Sequence, residues 1–170
     1  MANIANMFVY SLLNDRDDNI EGENFKQFIQ YCLQHSTFFS ITLWGDKKDV
    51  VIPEFHNFFY KTYQTHLWYR CKTGLEQLLT IKLYHSSPSL LEGIMKHFDR
   101  LFPETICPIE DICFFQDNKL LFGSLSHESI AELILPSEAE LKDYEKFAKW
   151  KKEAVPICDY EYFPDLESLV

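Results

Sequence analysis

A chain of 170 residues, 46% hydrophobic and 16% aromatic, buries a sizeable core without needing a disulfide or a metal staple. Its formal net charge of −10 argues against nucleic acid and anionic lipid as partners, because both are bound through a Lys/Arg surplus. The apolar run Met7–Leu13 has no basic residue before it, and no run approaches the roughly 18 residues of a membrane span, so neither a secretory signal nor a transmembrane helix is expected.

Met7–Leu13 reads as a strand, broken by the turn formers Asn14–Asn19. Phe25, Phe28, Ile29, Cys32 and Leu33 then recur at helical spacing, with Glu21 and Glu23 at the end favoured by the helix dipole. Thr37–Trp44 alternates Phe39, Ile41 and Leu43 against Ser40 and Thr42, which predicts a strand with a polar outer side. Pro53 predicts the first turn of a second helix lined by Phe55, Phe58, Phe59 and Tyr63. Leu67–Cys71 and Glu76–Tyr84 read as two strands joined through Lys72-Thr73-Gly74. Ser87-Pro88 opens a third helix whose stripe runs from Leu90 to Leu101 before Pro103 stops it. Three strands follow, near 111–116, 119–125 and 129–135, turned by Asp117-Asn118 and by Ser126-His127-Glu128. Ser137-x-x-Glu140 is a capping box opening a last helix near 138–152, acidic early and basic late.

The order β-α-β-α-β-β-α-β-β-β-α predicts one α+β domain over residues 1–170, with about four helices on one face of a mostly antiparallel or mixed sheet. The acidic, aromatic tail 153–170 is expected to dock on the body. Five scattered cysteines, Cys32, Cys71, Cys107, Cys113 and Cys158, suit a reducing compartment, so a cytoplasmic location is expected.

No motif assigns a chemistry. Asp15-Arg16-Asp17-Asp18-Asn19 resembles the opening of a calcium-binding EF-hand loop. Ile20 stands where that loop needs glycine and Lys26 where it needs a bidentate glutamate, so no calcium site is expected. His66, Cys71, His97, Cys107 and Cys113 are zinc-ligand types without paired zinc spacing, so no metal and no cofactor are expected. Glycine cradles for nucleotides are missing. Adjacent carboxylates such as Glu110-Asp111 start elements and read as caps. Ser126, His127 and Glu128 cannot form a triad among themselves, because strand neighbours point to opposite faces. Catalytic residues are therefore not assigned, with Cys113, Ser126 and His127 the weak candidates for nucleophile and base.

The remaining signal is surface chemistry. Trp44 shares the Ser40/Thr42 face, and Asp159, Tyr160, Glu161, Tyr162 and Phe163 combine rings with acids, as protein-binding patches do. The expected function is an acidic protein-interaction module binding a basic protein partner, with the general character of an inhibitor or immunity-type protein. The alternatives are a small enzyme or ligand-binding domain with a pocket near His127, and a homodimer.

Overall fold

The computed structural model describes residues 7–105, 107–154 and 163–168. It is an α+β fold built on one eight-stranded sheet. The strands are β1 (Phe8–Leu12), β2 (Phe38–Trp44), β3 (Phe59–Thr65), β6 (Leu79–His85), β7 (Glu110–Gln116), β8 (Lys119–Leu125), β9 (Ile130–Leu135) and β10 (Trp150–Lys152). Their spatial order is β10-β1-β9-β8-β7-β2-β6-β3, with every pairing antiparallel. Between β3 and β6 the chain leaves the sheet as an arm holding a two-stranded ribbon, β4 (Leu67–Trp68) and β5 (Cys71–Lys72).

One face of the sheet is covered by helix α1 (Gly22–His35), which buries the predicted stripe Phe25, Phe28, Ile29, Cys32 and Leu33. Phe28 is the hinge of this packing: its ring meets Phe122 of β8 edge-on at 4.9 Å and Phe147 at 5.7 Å. Each such aromatic pair adds about 0.5–1.5 kcal/mol to simple burial. Two short helices, α2 (Leu91–Met95) and α3 (Leu141–Tyr144), complete the layer.

The other face was expected to leave Ser40 and Thr42 in solvent. Both are buried, at 0% and 1% exposure, because the arm lays Trp68 and Tyr69 across this face and Phe163 and Leu166 pack beside them. Tyr69 is the anchor. Its hydroxyl donates to Glu132 Oε2 at 2.6 Å, and its ring lies against Gly123, the cross-strand partner of Glu132. Any side chain at 123 would sit 2.6 Å from the ring carbons, so glycine is what lets the arm dock.

All four predicted helices begin helical, but three are shorter than their periodicity suggests. Pro53 opens a 3-10 turn, Pro53–Phe58, after which the chain turns into β3 and pairs with the open edge of β6. The aromatic and β-branched run Phe59-Tyr60-Lys61-Thr62-Tyr63 suits a strand better than a helix, and the tertiary edge decides it. Ser87 caps as expected, its Oγ accepting from Ser89 N–H, yet α2 ends at Met95. Beyond it, Leu101 N–H bonds Ile20 O and Phe102 N–H bonds Asn19 Oδ1, which draws the chain off the helical path while Phe98 and Leu101 stay buried. In the last helix the Ser137 hydroxyl bonds Glu140 Oε1 rather than a backbone N–H, and Trp150–Lys152 becomes β10 by pairing with the outer edge of β1.

Candidate functional site

Antiparallel pairing of β7 with both β2 and β8 places the start of β7 beside the ends of its two neighbours. Glu110, Asp111, Trp44 and the turn Ser126–Glu128 are thereby brought to one end of the sheet. On a regular strand Glu110 and Asp111 would diverge to opposite faces. They do not, because β7 carries an extra residue here: Ser40 pairs with Cys113, but Thr42 pairs with Glu110. At this bulge Asp111 takes left-handed backbone, φ 53°, which an Asp tolerates better than most residues. One ligand-type atom each from Glu110, Asp111 and His127 then lies within 4.8 Å of the other two.

Hydrogen bonds orient the carboxylates. Trp44 Nε1–H donates to Glu110 Oε2 at 3.2 Å, and Ser126 N–H donates to Asp111 Oδ1 at 2.7 Å. The Trp44 ring also meets His127 edge-on at 5.6 Å. Both carboxylates are buried, while the His127 side chain is 41% exposed. Among the described residues no Lys or Arg pairs with either carboxylate. Burial lifts the Asp111 carboxyl to about 6; the Ser126 N–H opposes the shift, the Glu110 charge adds to it, and His127 opposes it again.

The arm supplies the opposite wall. An open cleft of about 450 Å³ lies between Arg70, Cys71 and Lys72 on one side and Leu125, His127 and Glu128 on the other. Three of the six described non-glycine residues with left-handed backbone gather here: Arg70 lines the cleft, Asp111 holds the Ser126 N–H, and Ser129 follows Glu128. Such conformations cost on the order of 1–3 kcal/mol each where they are strained, and they gather at binding sites.

The thiols here are not activated. Burial, and then the Asp111 and Glu128 charges, push the Cys71 thiol up, the reverse of what a nucleophile needs. Cys113 is fully buried, and burial drives its thiol to about 12. Ser126 serves the site through its backbone N–H.

Of the sequence-derived candidates, the structure brings His127, Ser126 and Trp44 together. Phe163 lies elsewhere on the same face, 6% exposed, with its ring 5.8 Å from Tyr69 and the Arg70 guanidinium 6.0 Å from it. Asp159, Tyr160, Glu161 and Tyr162 fall outside the described residues. His66 bonds Gln77 O and His97 bonds Glu54, so the zinc-type residues do not assemble with one another among the described residues. Asn19, in the calcium-loop resemblance, spends its amide on both backbone groups of Phe102. Glu110 and Asp111, taken for caps in the sequence, are the residues that reading missed; their adjacency to a strand start was the signal, and the bulge supplied the rest. No family model matches the chain, nor does any curated protein or solved structure.

Proposed function

We propose that the protein is a ligand-binding domain whose site is the cleft between the Arg70–Lys72 arm and the turn holding His127. The observation that carries this reading is convergence. Two chain segments more than fifty residues apart in sequence meet there and present a guanidinium, an ammonium, an imidazole and a carboxylate to one open volume. Arg70 and Lys72 on a single wall favour a small ligand with an anionic group. Binding is preferred to covalent catalysis because the nearby thiols are held protonated. Titration of the full chain with a panel of small carboxylates and phosphates, followed by backbone and side-chain NMR, tests this. Shifts clustered on Arg70, Lys72 and His127 are expected; an unchanged spectrum, or shifts scattered over the surface, would refute it.

The second reading, an acidic module binding a basic protein partner, has its support at the other end of the sheet. There β3 is an edge strand, with Phe59 47% and Tyr60 51% exposed and Val51 64% exposed nearby. The net charge of −10 would steer a basic partner toward it. Capture of such a partner that weakens steeply with salt and with Tyr60→Lys supports this reading; salt-insensitive capture counts against it, and dimerisation seen by size exclusion would assign the edge to a second copy. A cytoplasmic location accompanies both readings, supported by four described cysteines that are all free thiols, Cys32, Cys71, Cys107 and Cys113.

A further inference from the structure

We infer that Glu110, Asp111 and His127 form a binding site for a divalent transition-metal ion of the Zn²⁺ or Mn²⁺ type, opening onto the cleft. The inference deepens the ligand-binding reading and rests on it in one respect, that the ion's remaining coordination position faces the same volume.

The first ground is geometric. Ligand atoms about 2.0–2.2 Å from one tetrahedral ion lie roughly 3.3–3.6 Å apart. The three atoms here already fall within 4.8 Å, and His127, being the exposed member, has room to close the difference. Convergence of this kind is not a by-product of strand geometry, since it needs the bulge that turns two successive carboxylates to the same side. The second ground is charge. Two adjacent carboxylates, exposed only 8% and 4%, have no Lys or Arg partner among the described residues. Buried charge persists when it is paired or holds a metal.

The third ground is independent of both. Thr42 sits directly across from Glu110, on the β2 face it shares with Trp44, whose indole already reaches the Glu110 carboxylate. The Thr42 hydroxyl is 1% exposed and has no hydrogen-bond partner among the described residues. A buried hydroxyl left unpaired on the strand facing Glu110 is a polar group for a cation's water to satisfy. The donors on the carboxylates fit the same picture, because metal-binding carboxylates are themselves oriented by hydrogen bonds, here from Trp44 Nε1–H and Ser126 N–H. One imidazole with two carboxylates selects for Zn²⁺ or Mn²⁺ over Mg²⁺, which sheds its water reluctantly. Three protein ligands leave a position open for a ligand from the cleft.

The test is titration of the full, chelator-stripped chain with manganese chloride and zinc chloride by calorimetry, with Mn²⁺ line-broadening of aromatic resonances as the site readout. One ion per chain is expected, with broadening strongest at the Trp44 indole and the His127 ring. Glu110→Gln and His127→Ala, each checked for an unchanged circular dichroism spectrum, are expected to weaken binding at least tenfold. His127 is exposed, so its variant keeps the test sound if the Glu110 variant misfolds. No saturable binding, or binding unchanged in the variants, overturns the inference. If wild type binds no ion while small anions still shift Arg70 and Lys72, the metal site alone fails; if neither binds, the cleft fails with it.

Discussion

Docking of the arm onto the sheet makes one wall of the cleft, and it hangs on the fit of Tyr69 into the space above Gly123. Gly123→Ala places a methyl carbon 2.6–2.7 Å from three ring carbons of Tyr69, about 1 Å inside ordinary carbon contact. Tyr69 is 1% exposed, so its ring has nowhere to retreat within the packed layer. Overpacking of this kind costs about 1–3 kcal/mol. Retreat would also pull the hydroxyl from Glu132, a bond to a buried carboxylate worth about 1.5–3 kcal/mol. Replacing glycine within a strand returns about 0.5–1 kcal/mol. The net expectation is a loss of about 2–5 kcal/mol, read by urea denaturation. A double-mutant cycle isolates the cause: with Tyr69→Ala already present, Gly123→Ala should cost almost nothing, giving a coupling energy of about 2 kcal/mol or more. Additive costs in the cycle would refute the contact as the reason for glycine at 123.

Other outcomes follow from the same structure. Asp111 is raised from an ordinary carboxylate value to about 6, so the unfolded chain gives up this proton first and ionisation opposes folding as pH rises. In the presence of chelator, Asp111→Asn should therefore stabilise the chain by up to about 3 kcal/mol near pH 7.5 and by only about 0.5 kcal/mol near pH 4; a pH-independent difference in urea denaturation would contradict this. At neutral pH, Cys32 and Cys113, both fully buried with thiols pushed up by burial, should resist alkylation until the chain unfolds, as peptide mapping would show; rapid native labelling of either would place it wrongly. Phe28→Ala should cost about 3–5 kcal/mol in urea denaturation, since Phe28 joins α1 to β8 and to Phe147; a loss below about 1 kcal/mol would mean that the helix docks by other contacts.

Where one periodicity runs between clear breakers, the sequence was enough to read the fold. Strands β1, β2, β7, β8 and β9 and helix α1 fall within a few residues of their predicted bounds. What failed was length. The segments near 53–63, 88–101 and 138–152 read as helices, but each is claimed by a partner from another part of the chain: the β6 edge, the Ile20 backbone with the Asn19 side chain, and the β1 edge. Local pattern holds no information about an edge contributed by another part of the chain. The buried Ser40 and Thr42 misled in the same way, since their cover arrives with an arm whose docking depends on a glycine more than fifty residues later in the chain.

The site shows the same logic at finer scale. His127 and Trp44 are visible because rings and imidazoles at strand ends stand out; Trp44, expected as a partner-binding ring, donates to Glu110 beside His127. Glu110 and Asp111 read as caps because they start an element, and on a regular strand such neighbours would also point apart. A bulge suspends that rule, and the bulge places aspartate where glycine would relax the backbone. A residue that takes left-handed backbone and is lifted to about 6 by burial weakens the fold twice over. Its structural service is to accept the Ser126 N–H at the head of the next turn, which a neutral Asn would perform without the charge. What remains is the charge itself, held within 4.8 Å of a ligand atom of Glu110 and of His127, the last of which lines the cleft.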